Sequence, residues 1–240
     1  MKKMMKKSNQ LLGAVVMVPF IIILVIVIYF RVLISSDFVE SDQDYFDYSK
    51  ETITEKLDFQ DFTEIDLRGS WKAEIVQGTG FNVEIVGPED RVKRVRSHIV
   101  GNSLYLSESK FRRSNGPKLE MKITLPMLEE ISLVGNSRVY LSDFSENDFR
   151  ISVKGSGRVV GQNCTFVDLD LSCTGSADVD LTECVVTNAN VYLAGAVTAE
   201  LTMSGGYLGG NAIGAARVIY YGDVSQQDIR TSGGSSVKKH

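Results

Sequence analysis

Histidine and cysteine, on which many catalytic and metal sites depend, are scarce: the chain has two histidines and three cysteines among 240 residues. A structural zinc site usually takes about four ligands. The cysteines are scattered and lie far in sequence from His98 and His240, which excludes metal ligation by thiol. No histidine is placed to activate a serine or cysteine nucleophile. The sequence therefore predicts no catalytic residue, no cofactor and no metal site.

Positive charge is also sparse, because the net charge is −4 and no face rich in lysine or arginine occurs outside the extreme N-terminus. Such a chain has little attraction for a phosphate backbone, so we expect no nucleic-acid partner. Proline is rare, with four residues, whereas glycine occurs 21 times and charged residues make up 23%. This composition excludes a collagen-like or disordered chain.

One long hydrophobic run, Leu11–Phe30, contains no charged residue. As a helix rising about 1.5 Å per residue, it would span about 30 Å, the thickness of the bilayer hydrocarbon. We predict a transmembrane helix over residues 11–34. A basic tail, residues 1–10, precedes it and an acidic segment follows it. The positive-inside rule then places the tail in the cytoplasm and the rest of the chain outside.

The hydrophobic run has a competing interpretation as a cleaved secretory signal. Ser35 and Ser36 are small enough for cleavage, but no Ala-x-Ala site follows and the run is long for a signal core. Lipid attachment is excluded because the first cysteine is Cys164. Whether the run is a transmembrane helix or a cleaved signal, the rest of the chain is exported. We interpret residues 35–56 as an acidic tether, whose aromatic side chains could instead pack on the domain as an extra edge.

Internal repeats organise the remaining domain, residues 57–240. Six glycines recur at spacings of 20, 20, 20, 19 and 19 residues: Gly135, Gly155, Gly175, Gly195, Gly214 and Gly233. Apolar residues alternate before each glycine and again from four residues after it, which predicts two short strands joined by a bend. A unit this short buries an apolar face only when units stack, about 4.8 Å apart, into a continuous core.

The period predicts an all-β fold, a parallel β-helix (a solenoid with rungs of about 20 residues) over 129–240. One inward column would contain Ile131, Ile151, Leu171 and Val191. Residues 57–128 are β-rich as well, and Ile65–Ile75 fits the repeat as a first rung. We expect the other strands of 57–128 to be antiparallel, with a hairpin at Gly101–Asn102, and to cap the open end of the solenoid.

Three repeat units resemble the head GIN domain family of putative auto-transporter adhesins: Gly155–Val159, Gly175–Val179 and Gly214–Val218. The segments Phe62–Ile65 and Trp71–Gly78 resemble the first strands of that family. The resemblance covers most of the domain. It implies an extracytoplasmic bacterial β-helix and no catalytic residue.

Cys164 and Cys184 are 20 residues apart and should lie on neighbouring rungs. A disulfide is one interpretation, since an exported domain meets an oxidising compartment and the stacking distance suits the bond. The favoured alternative is that both are small apolar residues of a semi-buried column. Phe144 and Ser204 occupy the same position in their repeats, which indicates that the column tolerates different side chains.

Outward residues supply the candidate binding surface. Arg138, Arg158 and Asp178 should share one outward column, and Asp180 should lie beside Glu200. Paired carboxylates can cleave glycosidic bonds or bind calcium, so a polysaccharide lyase or glycosidase is one alternative. The surface is completed by outward tyrosines that could contact sugars or protein: Tyr140, Tyr192, Tyr207, Tyr220 and Tyr221.

We therefore expect a membrane-anchored extracytoplasmic β-helix, not an enzyme, that binds surface or envelope components as an adhesin does. Its partners would be the membrane, through one N-terminal span, and a cell-surface polysaccharide or an envelope protein. A structural scaffold of the envelope is the second alternative.

Overall fold

Strands dominate the domain, as the alternating pattern predicts. The computed structural model describes residues 51–108 and 119–240. The predicted basic tail, the 11–34 helix and most of the tether lie outside these residues. Within the described ranges, no helix is both long enough and apolar enough to cross a bilayer. The described residues form one compact unit.

Seventeen strands are found in the described residues. The first seven are β1 Thr52–Leu57, β2 Glu64–Gly69, β3 Trp71–Gln77, β4 Asn82–Pro88, β5 Val95–Val100, β6 Ser103–Glu108 and β7 Leu119–Leu125. The repeat region contains β8 Glu130–Gly135, β9 Arg138–Ser142, β10 Ser145–Gly155, β11 Arg158–Gly175, β12 Asp178–Gly195, β13 Thr198–Ser204, β14 Tyr207–Gly214, β15 Arg217–Asp223, β16 Gln226–Gly233 and β17 Ser236–Lys239. A short helix, α1 Glu89–Val92, joins β4 to β5.

The repeat glycines stack in one column. Gly135 of β8 lies opposite Gly155 of β10, and the register continues through Gly175, Gly195, Gly214 and Gly233. All of these pairings are parallel. The predicted parallel β-helix is confirmed, and its inward columns are buried as expected, including the one that contains Ile131, Ile151, Leu171 and Val191.

Each glycine bend separates two faces of the solenoid. The first face holds the strand segments that lead up to the glycines: β2, β8, β14, β16, the end of β10 and the C-terminal halves of β11 and β12. The second face holds the segments that follow them: β3, β9, β13, β15, β17 and the N-terminal halves of β11 and β12. Successive outward side chains on each face form columns that run across the rungs.

The predicted first rung is confirmed, because β2 and β3 pair in parallel with β8 and β9 and Gly69 lies opposite Gly135. A further rung, not expected from the sequence, is formed by β6 and β7, which pair with the other edges of β2 and β3. The chain thus builds the middle rung first, then the rung on one side of it, and then the repeats on the other.

The prediction that the other strands of 57–128 are antiparallel is correct for β4 and β5 but wrong for β6 and β7, which also pair in parallel with β2 and β3. The hairpin at Gly101–Asn102 joins β5 to β6, while β4 pairs with β7 and with β1. The last residues of the predicted tether, 52–56, form part of β1, an edge strand that pairs with β4. Its side chains Ile53 and Leu57 pack against the core, which explains why the segment joins the sheet.

Candidate functional site

The predicted surface lies mainly on the second face. Arg138, Arg158 and Asp178 occupy one outward column, as expected. The Arg158 Nε and Asp178 Oδ2 atoms are 3.4 Å apart, and both side chains are about half exposed (48% and 45%). An ion pair this exposed contributes little to stability. The column is therefore a solvated charge ladder that is open to contact.

Asp180 and Glu200 are register neighbours on the second face, in the same column as Tyr140. The Asp180 Oδ1 atom accepts hydrogen bonds from the backbone N–H and the hydroxyl of Thr182, at 3.2 and 2.7 Å. These bonds hold the Asp180 carboxylate against its own rung.

Tyr192 does not join this group. It belongs to the strand before a glycine bend, so it lies on the first face, in a column with Ser132, Ser152 and Ser172. The residues that were expected to form one binding surface therefore lie on two different faces of the solenoid.

Tyr220 does not face outward as the sequence predicted. It lies opposite Leu201 in an inward column and is only 6% exposed. Its hydroxyl contacts Gln227 Oε1 at 2.8 Å.

Cys164 and Cys184 are register partners, and both are buried, as is Cys173. All three are free thiols in the structure. A hydrogen bond from Cys184 lowers the pKa of Cys164 to about 7, and the same bond together with burial raises the pKa of Cys184. Burial raises the pKa of Cys173 to about 12. The two side chains lie in the apolar interior, more deeply than the semi-buried column that the sequence suggested, with Cys164 2% and Cys184 1% exposed.

A groove that the sequence did not reveal runs along the start of the first face. Each rung contributes an outward, inward, outward triplet at the same place: 148–150, 168–170 and 188–190. The inward members are buried at the base: Phe149, Leu169 and Ala189. The outward members form two walls that enclose a volume of about 360 Å³. This volume lies within the usual range for ligand sites.

Hydrogen bonds between rungs order the walls of the groove. Asn188 donates to Asp168 Oδ1 at 2.9 Å in one wall, and Asn190 donates to Asp170 Oδ1 at 3.2 Å in the other. Arg150 donates to Glu130 Oε2 at 2.7 Å, and this bond raises the pKa of the Arg150 guanidinium. Each member of these three pairs is therefore held in place by its partner on the neighbouring rung.

Tyr207 closes one end of the groove. Its backbone N–H donates to Asn188 Oδ1 at 2.9 Å. Its ring lies across Gly209, where a Cβ atom would be 1.9 Å from the Tyr207 hydroxyl oxygen. Only glycine at position 209 leaves room for the ring in this position. At the other end the groove is lined by Glu64, Glu129 and Glu130.

The groove is strongly acidic. Six carboxylates line it but only one guanidinium, that of Arg150. Among the described residues, no group of histidine, cysteine, aspartate or glutamate side chains is arranged to hold a metal ion. The chemistry available is that of carboxylate acceptors, amides that donate and accept, and one phenol.

The sequence did not predict a groove at Asp168 and Asp170. A signal was present, because polar residues flank an apolar residue in phase at 148–150, 168–170 and 188–190. The concave shape depends on how the chain turns into the first face, which the alternation does not specify.

Comparisons with known proteins agree with this architecture. Residues 61–239 match the family described as "Putative auto-transporter adhesin, head GIN domain". A comparison with curated proteins gives no match. A solved structure of a "putative adhesin" from Bacteroides fragilis is 20% identical with a TM-score of 0.64, and the alignment covers 80% of this chain and 98% of that one. A "putative lipid binding protein" from Parabacteroides distasonis is 14% identical with a TM-score of 0.50, over 80% and 98%. At these identities the likeness concerns the fold.

Proposed function

We propose that this chain, which belongs to the head GIN domain family of putative auto-transporter adhesins, is an extracytoplasmic binding module with no catalytic activity. It would act as an adhesin does, by holding a cell-surface polysaccharide or an envelope protein. The observation that carries the proposal is the groove on the first face. It is concave, and its walls are built from side chains ordered between neighbouring rungs.

Rigidity supports a binding role for this groove. Its wall residues lie on strands that pair with a neighbour on each side, β10 with β8 and β11, and β11 with β10 and β12. A ligand would therefore meet groups whose positions are already set, which reduces the entropic cost of binding.

Membrane attachment is part of the proposal. The predicted helix at residues 11–34 would anchor the chain as a single span, with residues 1–10 in the cytoplasm and the solenoid outside. Protease added to intact spheroplasts should degrade the solenoid and leave the membrane-bound N-terminal fragment. A solenoid that is degraded only after lysis would contradict this topology.

The binding role is tested with the full chain purified in detergent. It is added to bacterial cells, to protease-treated cells and to isolated cell-wall polysaccharide, with and without calcium, and bound protein and released sugar fragments are measured together. We expect saturable binding and no fragments. Protease treatment of the cells separates a polysaccharide partner from a protein partner.

Two outcomes would contradict the proposal. The absence of saturable binding to all three materials would favour a structural scaffold of the envelope. Release of sugar fragments that Asp180→Ala or Glu200→Ala abolishes would instead make the chain a polysaccharide-cleaving enzyme.

A further inference from the structure

We propose that the groove binds an extended glycan that is uncharged or carries amino groups, with its chain running along the solenoid axis. The inference rests on the proposed function, because it names the ligand class of the same groove. It is drawn from the length of the groove, the repeat of its walls, the chemistry of its side chains and its charge.

The length of the groove suits a chain molecule. Its lining comes from six neighbouring strands, β2, β8, β10, β11, β12 and β14. Because strands in a sheet lie about 4.8 Å apart, the groove extends for about 24 Å across the rungs.

The repeat of the walls favours a glycan over a peptide. A ligand lying along the axis meets equivalent positions once per rung: Asp148, Asp168 and Asn188 in one wall, and Arg150, Asp170 and Asn190 in the other. An extended β-1,4-linked glycan advances by close to one strand spacing per sugar ring, so each rung can meet one ring and the hydroxyls of alternate rings face the same wall. An extended peptide advances about 3.4 Å per residue and moves out of phase.

The wall groups match sugar hydroxyls. Asp168 and Asp170 each use Oδ1 to accept an asparagine amide from the next rung, which leaves Oδ2 to accept from a ligand. Carboxylates accept hydroxyl and ammonium protons more strongly than neutral oxygens do. Tyr207 adds an aromatic ring at the end of the groove, 36% exposed, against which the C–H face of a terminal sugar can pack.

The negative charge of the groove determines which glycans it can bind. The six carboxylates outnumber the one guanidinium, and that guanidinium is paired with Glu130. A polyanion would meet like charge along the part of the groove from β2 to β11, which is a strong barrier to binding. Uncharged chains avoid this repulsion, and amino groups gain attraction from it.

The test uses the full chain in detergent and hexasaccharides of defined charge, measured by calorimetry at low and moderate salt. The uncharged probes are cellohexaose, mannohexaose, xylohexaose and the N-acetylglucosamine hexamer. The amino probe is the glucosamine hexamer and the anionic probe is the galacturonate hexamer. We expect binding of at least one uncharged or amino probe, weaker binding of its disaccharide, and no binding of the galacturonate hexamer.

Two double variants with the same change in charge locate the site. Asp168→Asn with Asp170→Asn alters the groove, whereas Glu183→Gln with Asp223→Asn removes two exposed carboxylates that lie outside the groove and outside the predicted surface. The groove variant should lose roughly tenfold or more in affinity, the effect of removing hydrogen bonds to charged groups, while the control variant should bind as the unchanged chain does. Tyr207→Ala should also weaken binding. Circular dichroism and thermal unfolding of each variant show whether the fold is retained.

Three results would overturn the inference: failure of every uncharged and amino hexasaccharide, equal affinities of the two double variants, or preferential binding of the galacturonate hexamer. Tight binding of an extended lysine-rich peptide in place of all glycans would assign the groove to a protein partner. If any of these results occurred but the full chain still bound to cells, the inference about the glycan would be wrong and the proposed binding function would remain supported. If the full chain also failed to bind to cells, both proposals would be wrong.

Discussion

Gly155 shows why the repeat depends on glycine at the bend. Its φ is +126°, and a Cβ atom on it would lie 2.4 Å from the carbonyl oxygen of Gly135 on the neighbouring rung. Both the backbone conformation and the close approach exclude a side chain. We expect Gly155→Ala to lower the free energy of unfolding by about 3 kcal/mol or more, measured by urea denaturation.

Substitutions at two other glycines distinguish the effect of the backbone conformation from the effect of the close approach. Gly101 has a φ of +61° but open space around it, so Gly101→Ala should cost about 1–2 kcal/mol. Gly80 has neither constraint, and Gly80→Ala should change stability by less than about 0.5 kcal/mol. If Gly155→Ala proved no more destabilising than Gly80→Ala, the close stacking of the bends would be wrong.

Glu146 makes stability depend on pH. Burial raises the pKa of its carboxyl above the ordinary glutamate value, although the Leu128 backbone N–H donates to Oε1 at 3.0 Å. The folded chain therefore holds the proton at a pH where the unfolded chain has lost it. The contribution of Glu146 to stability is then fully present below the unfolded pKa, about 4.3, and falls as pH rises through the folded pKa.

Glu146→Gln should remove that part of the pH dependence. Urea denaturation between pH 4 and pH 7 should show a smaller fall in unfolding free energy for this variant than for the unchanged chain. Glu183→Gln, at an exposed glutamate, is the matched control. Identical pH profiles for Glu146→Gln and the unchanged chain would contradict the assignment.

The capping elements depend on one buried ion pair. Arg91 of α1 donates to both carboxylate oxygens of Glu108 at the end of β6, at 2.9 and 2.7 Å, and the side chains are 8% and 11% exposed. The pair ties the short helix to an edge of the first face. Glu108→Ala would leave a buried guanidinium without this carboxylate, so we expect it to cost about 3–5 kcal/mol.

Asp223→Ala provides the comparison at the other end of the domain. Asp223 contacts Lys239 at 2.9 Å, but its side chain is 89% exposed and water screens the pair. Its removal should have a much smaller effect than that of Glu108 in thermal and urea denaturation. Similar losses for the two variants would show that the cap does not depend on burial of its ion pair.

A stacked solenoid need not have uniform stability along its axis, because each rung contacts only its neighbours. Strands β11 and β12 pair on both sides and contribute fully buried columns. In the described structure β16 and β17 pair with β14 and β15 alone, and most of their residues are exposed.

Amide hydrogen exchange of the full chain, followed by mass spectrometry, should therefore be fastest in β16 and β17 and slowest in β11 and β12. Peptides from β14 and β15 should fall between them. Equal protection in all three pairs of strands would indicate that the solenoid opens as one cooperative unit instead of rung by rung.

The stacking of the repeats could be read from the chain because parallel, in-register pairing converts a sequence period directly into spatial neighbours. The column of Gly135, Gly155 and Gly175 and the pairing of Asp180 with Glu200 follow from that rule alone. The family resemblance and the antiparallel cap followed from the same local patterns, and the structure confirms the cap and its hairpin.

The pairing of strands that are distant in sequence could not be predicted from the alternating pattern. Nothing in the alternation of β6 and β7 indicates that they pair with the outer edges of β2 and β3, because strands of similar pattern compete for the same partners. The angle at which each rung turns is likewise set by packing in three dimensions. That turn puts Tyr192 on a different face from Asp180, and it opens the groove where Asp168, Asp170 and Tyr207 meet. Periodicity decides which residues stack on one another, whereas only the folded path of the backbone decides which columns face a common space.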